Sequence, residues 1–175
     1  MRRVRDPLIL DEAMTEGRGA ELAAATSAKI APSERAQAWR ALAPAEIDPE
    51  HLTRNRVVTL ASNPAASPFD VLRTKSFLMM RKNGWTRLAI TSPGPGCGKS
   101  TLACNLAAGF TRQADVHAML VELDLRRPSI AAILGITPPR DVATMLTGQA
   151  PFAEQALRLR DNVAIAAAKR PSKDP

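Results

Sequence analysis

The sequence predicts an α/β chain whose parallel sheet is flanked by helices, and three observations predict it. An apolar run of strand character, Leu88 to Thr91, leads into a loop of glycine and proline, Ser92 to Gly98. Lys99-Ser100-Thr101 follows and opens an Ala- and Leu-rich helical pattern that lasts to about Arg112. A second apolar run, Ala118 to Leu123, then ends in acidic residues. Strand, glycine-rich loop, helix and parallel strand in that order form the phosphate-binding half of an α/β domain.

The loop is explained by what a phosphate chain needs. Backbone N–H groups that approach closely come from residues without side chains, and Gly94, Gly96 and Gly98 permit that curvature. The helix that opens at Lys99 aims its positive end at the same anion. The stretch Gly94, Pro95, Gly96, Cys97, Gly98, Lys99, Ser100 and Thr101 is therefore the expected nucleotide site, with ATP and Mg²⁺ as its cofactors. Lys99 would reach the β- and γ-phosphates, and the Ser100 hydroxyl would bind the metal. The plain alternative is a Gly/Pro turn between a strand and a helix. One position departs from the phosphate-loop pattern: Pro93 stands where the pattern has its first glycine.

The acidic end of the second run fits beside such a loop. Glu122 and Asp124 project to one side of a strand, at the end where an open α/β sheet receives its ligands. One carboxylate can hold the metal or its waters while the other takes a hydroxyl proton. Lys99, Glu122, Asp124 and Arg126 are the expected catalytic set, and Ser100 with Asp124 the expected metal ligands. Arg126 would pair with phosphate or with the carboxylates, and a solvated acidic strand end is the alternative.

Ser92 to Ala107, with Asn105-Leu106-Ala107 at its end, resembles the bacterial tyrosine kinases of capsule and exopolysaccharide synthesis, which are P-loop NTPases related to the partition and septum-positioning ATPases. The resemblance continues at Val121-Glu122-Leu123-Asp124-Leu125-Arg126-Arg127-Pro128, the second Walker-type motif, and at Phe69 to Thr74; it covers about Arg56 to Pro175. It implies γ-phosphoryl transfer from ATP·Mg²⁺ to a protein tyrosine. It also implies a membrane-embedded polysaccharide chain-length regulator as activating partner, and a homo-oligomer. The location it implies is cytoplasmic, peripheral to the inner membrane through that partner.

The chain departs from this family in several places. The family has Asp where this chain has Glu122, and a reacting carboxylate displaced by about an ångström can cost ~100-fold. The ring-forming helix of the family carries a Glu and two Arg; by register those positions are Ser67, Asp70 and Arg73, so only the Arg is retained. The family's Walker B strand, with an Asp followed by a Pro pair, has no counterpart before Asp174-Pro175, so the domain is expected to be incomplete at its C-terminus. The chain contains no tyrosine, which puts the acceptor on another chain. A nucleotide-binding regulatory module without turnover is the alternative function. A surface-recruited ATPase of the partition type is a further one, although Gly94 stands where that group has an extra lysine.

Charge narrows the partners. The net charge is +7, and residues 1–66 contribute none of it, with nine basic and nine acidic groups. A basic 67–175 segment suits polyphosphate, an acidic tail or an anionic membrane surface. Aromatic content of 3% and the lack of a basic run longer than two argue against a nucleic-acid module. No apolar run has membrane-spanning length and no signal peptide is evident. Cys97 and Cys104 match no metal spacing and imply a reducing compartment.

The remaining elements follow in order. Residues 1–55 are expected to be a mobile Ala/Pro-rich appendage, with short helices at Ala20–Ala31 and Glu34–Leu42 interrupted by prolines. Trp39 would dock a partner or anchor a weak helix. The nucleotide-binding domain is expected over 56–175, opening with an extended strip at Arg56–Ala61. A helix starts at Ser67-Pro68 and ends at Asn83-Gly84, where glycine supplies a left-handed cap. Trp85 to Thr91 is the expected first core strand. Ser129 caps a short helix to Leu134 that Gly135 ends. Helices are expected at Asp141–Leu146 and Pro151–Arg160, and a third strand at Asn162–Ala168. His51 and His117 lack partners at catalytic or metal spacing and are expected to be structural or surface residues.

Overall fold

In the computed structural model, residues 32–172 are described. Helix α1 (Pro32–Arg40) is followed by a two-residue strand, β1 (Ala43–Pro44), and by α2 (Pro49–Arg54). A 3-10 turn at Pro64–Ala66 runs into the long helix α3 (Ser67–Asn83). Then come α4 (Lys99–Phe110), β2 (Ala118–Val121), α5 (Ile130–Leu134), α6 (Val142–Leu146), α7 (Phe152–Gln155), β3 (Leu157–Leu159) and β4 (Val163–Ala166).

The four strands form one mixed, mostly parallel sheet in the order β1-β3-β4-β2. β2 pairs with β4 in parallel from Ala118 opposite Val163 to Val121 opposite Ala166. β3 and β4 are an antiparallel hairpin, Leu157 opposite Ile165, so the sheet is not purely parallel as the sequence predicts. β4 is buried along its whole length, as a strand covered on both faces must be. Val163, Ile165 and Ala167 turn toward Cys104, Ala107 and Ala108 of α4 and Ile130 and Leu134 of α5. Ala164 turns toward Leu42 and Ala156, with Trp39 against them. Ala166 and Ala168 turn toward Val142. Each fully buried Val or Ile here contributes about 1.5–3 kcal/mol.

Helix boundaries follow local chemistry. Pro68 sits in the first turn of α3, and Gly84 closes it at φ 69°. Gly135 closes α5 at φ 68°, and Asp141 caps α6 by accepting from Ala143 N. His51 Nε2 donates to Ala132 O at 2.8 Å, and His117 packs edge-on to Trp39, so both histidines are structural.

Three expectations need correction. The 85–91 segment is not a strand. Its backbone has no ladder partner among the described residues, and Trp85 and Leu88 are 57% and 53% exposed. Strand propensity reflects fit to a half-buried pleated surface, and no such surface is present there. The helix expected over Pro151–Arg160 stops at Gln155. Leu157 and Leu159 are buried with Arg158 between them, a period of two that the hairpin with β4 rewards. Within residues 1–55, Leu42 and Leu52 lie in the core rather than in an appendage. The expected Ala20–Ala31 helix lies outside the described residues.

The Arg56–Ala61 stretch is not the extended strip the sequence predicts: Arg56 sits at φ 60° and the chain turns again at Thr59–Leu60, and Asn105 of α4 holds it in place. Asn105 Oδ1 accepts from Val58 N at 2.9 Å, its Nδ2 donates to Arg56 O at 2.8 Å, and Thr59 Oγ1 donates to Asn105 O. α3 is strapped to α4 by Arg73, which donates to Gly109 O at 2.6 Å and to Asp70 at 3.0 Å; Arg112 also pairs with Asp70. The one arginine at a ring-forming register position is thus buried within its own chain.

Candidate functional site

The glycine-rich loop joins the unpaired 85–91 segment to α4. Gly96 and Gly98 sit at φ 75° and 82°, a region that favours glycine. Gly98 is the residue before α4, and its carbonyl accepts from Leu102 N at 2.8 Å. No side chain caps this end of α4 and its first turn holds no acidic residue. The first-turn amides of a twelve-residue helix are therefore left to an external acceptor. Added Cβ atoms at Gly94, Gly96 and Gly98 would meet nothing, so the loop stands open. Upstream, Ser92 Oγ donates to Gly94 O at 2.8 Å.

The segment after β2 closes over the start of α4. Asp124 Oδ2 lies 2.7 Å from Lys99 Nζ, and Asp124 Oδ1 accepts from Arg127 N at 3.1 Å. The hydrogen bond from Lys99, and then that from Arg127, hold the Asp124 carboxyl below the usual range. Ser100 Oγ shares a 2.7 Å hydrogen bond with Ser129 Oγ. Lys99, Ser100 and Asp124 are thus gathered in one place.

Glu122 goes elsewhere. It is 3% exposed, and both carboxylate oxygens are taken by main-chain donors. Oε1 accepts from Ser129 N at 2.6 Å and Ile130 N at 3.0 Å; Oε2 accepts from Ala168 N at 2.9 Å. β2 ends at Val121, so the strand alternation that would put Glu122 and Asp124 on one side does not extend to them. Arg126 is exposed beside them, and Pro95 and Cys97 are exposed on the loop.

Ser129 is the residue that sequence reasoning placed correctly but gave the wrong partner. It precedes α5 as expected, yet its hydroxyl makes no cap bond and faces Ser100 instead. Nothing in the local pattern signals this, because the partner is 29 residues away.

The donor set fits a triphosphate with a hard cation: open glycine amides, an uncapped helix end, one ammonium, one hydroxyl and one carboxylate. Among the described residues no group of three or more His, Cys, Asp or Glu could hold a metal by itself. Mg²⁺ usually takes one or two protein ligands and completes its shell with phosphate and water. A concavity of about 480 Å³ lies elsewhere, lined by residues of the 62–75 segment, Ser62, Asn63, Asp70 and Lys75 among them. We place the site at the loop because the concavity is shallow and presents no comparable anion-binding geometry.

No protein-family model and no curated protein matches the chain. A solved structure, that of the chimerical protein CapA2B2, is similar to it with a TM-score of 0.51 and 21% identity. The match covers 65% of this chain, which spans about half the length of that one (50%). At this identity the likeness shows a shared fold, a mixed α/β architecture with a mostly parallel sheet. Among the described residues, no helix is long and apolar enough to cross a membrane.

Proposed function

We propose that the chain binds the triphosphate of ATP, with Mg²⁺, on the loop from Gly94 to Thr101, and that it acts as a protein-tyrosine kinase in capsule or exopolysaccharide biosynthesis. The observation that carries the nucleotide reading is the uncapped start of α4 behind two left-handed glycines, with Lys99 and Ser100 met by Asp124 and Ser129. Bound there, ATP·Mg²⁺ supplies the phosphoryl group and the cation that offsets its charge. Lys99 would exchange Asp124 for the phosphates, and Ser100 with Asp124 would hold the cation. The acceptor tyrosine lies outside these 175 residues, which contain none. A membrane-embedded chain-length regulator fits as the activating partner, and the basic 67–175 segment suits recruitment to an anionic surface.

One observation favours the second reading, a module that holds nucleotide without turnover. Glu122 is fully engaged by backbone amides, which leaves Asp124 as the single carboxylate at the loop able to take a hydroxyl proton. A single-turnover assay with γ-labelled ATP and a tyrosine-containing acceptor protein separates the two. Label on the acceptor's tyrosine supports the kinase. ATP binding with no transfer, in the presence of the activator's cytoplasmic segment, supports the module.

A further inference from the structure

The bond between Ser129 and Ser100 connects the candidate cation ligand to a buried mount. Ser129 is fixed through its main chain: its N–H and that of Ile130 both donate to Glu122 Oε1, at 2.6 and 3.0 Å. Glu122 is in turn fixed from its other oxygen by Ala168 N, two residues beyond β4. The amides of Ser129 and Ile130 therefore hold the Ser129 backbone on that carboxylate, while its hydroxyl donates to Ser100 Oγ at 2.7 Å and can rotate to accept from it instead.

A hydroxyl that gives a lone pair to a cation must send its hydrogen to another acceptor. The partner that takes that hydrogen orients the ligand and raises its basicity, and losing such a partner typically costs about 10- to 100-fold in metal affinity. We infer that Ser129 is a positioning residue for the cation that accompanies the triphosphate. It accepts the hydrogen of Ser100 so that the Ser100 lone pairs face the metal, and Glu122 acts as the anchor that keeps Ser129 in register. Ser129 touches neither nucleotide nor metal and works only through Ser100. This also gives Glu122 a role that does not require it to reach the reacting atoms. The inference rests on the nucleotide reading above.

The test is ATP affinity of the full chain by titration calorimetry, once in EDTA and once in excess Mg²⁺, for the parent, Ser129→Ala and Ser129→Thr. Thermal unfolding of each variant establishes that it is folded. The expected result is that Ser129→Ala keeps the parent's affinity in EDTA but loses about 10- to 100-fold of the gain that Mg²⁺ provides. Ser129→Thr, which keeps the hydroxyl, restores that gain. An unchanged Mg²⁺ gain in Ser129→Ala overturns the inference, and so does an equal loss with and without the metal, which would mark general damage to the loop. If Ser129→Ala does not fold, Ser129→Thr decides: a Mg²⁺ gain equal to the parent's supports the role, and a gain lost with EDTA affinity intact refutes it. A parent chain that binds no ATP in either condition overturns the nucleotide reading itself, an outcome distinct from the others.

Discussion

Glu122→Gln is the perturbation that most sharply separates a structural from a reacting carboxylate. Three backbone N–H groups donate to its two oxygens, and those of Ile130 and Ala168 are buried. Glutamine offers one oxygen and one NH₂ in the same shape. If its oxygen stays with Ser129 and Ile130, its NH₂ faces the Ala168 N–H, donor against donor. If it turns round, two amides lose their acceptor. A hydrogen bond to a charged group is worth about 1.5–3 kcal/mol, and an orphaned buried donor costs about 1–3 kcal/mol. The loss is therefore about 3–5 kcal/mol, a large share of the roughly 5–15 kcal/mol that typical domains have. For a chain of this size that lowers Tm by about 10 °C. Urea unfolding followed by circular dichroism measures it, with the midpoint falling at an unchanged slope. Glu122→Asp keeps the charge but is a methylene too short to serve both sets of amides, and should fall between parent and Gln. A change in Glu122→Gln below about 0.5 kcal/mol would refute the assignment, because surface substitutions away from such features stay within that range.

Four other outcomes are expected. Gly109→Ala should destabilise by about 1–2 kcal/mol despite the better helix propensity of alanine, since the new Cβ would lie 2.7 Å from Arg73 Nη1 and push it off the Gly109 carbonyl; thermal unfolding checks it. Asp124 is held below the usual carboxylate range, so its contribution to stability is present above the unfolded value of about 3.9 and is lost as pH falls through the lower folded one. Lys99→Met should return the Asp124 titration, followed by carboxyl ¹³C NMR, toward the usual value. Burial pushes the Cys104 thiol up to about 12, while Cys97 is exposed, so a thiol reagent should modify one cysteine per native chain and two after unfolding.

The local punctuation of the fold was legible in the sequence. Pro68, Gly84, Gly135 and Asp141 mark helix ends by backbone chemistry that involves only near neighbours, and the structure places the ends there. The loop, α4, β2 and β4 were legible from apolar runs set between turn residues. Pairing was not. Whether 85–91 becomes a strand depends on a neighbour that no local pattern announces, and the β3 hairpin was hidden because Leu157-Arg158-Leu159 continues a stretch that also suits a helix. At the site, Lys99, Ser100 and Asp124 were foreseeable from spacing. The inward turn of Glu122 was not, since the N–H groups that donate to it come from the start of α5 and from just beyond β4. The Asn105 clamp was likewise invisible, because it joins residues 46 to 49 positions apart.

The central claim is that the loop from Gly94 to Thr101 receives a triphosphate, and amide NMR of the chain titrated with ATP tests it most directly. The account predicts saturable shifts confined first to Gly94, Gly96, Gly98, Lys99 and Ser100, weakened about 10- to 100-fold in Lys99→Met through loss of a charge-assisted contact. Shifts centred instead on Asn63, Asp70 and Lys75, around the concavity at the start of α3, or a Lys99→Met chain that binds as tightly as the parent, would contradict it.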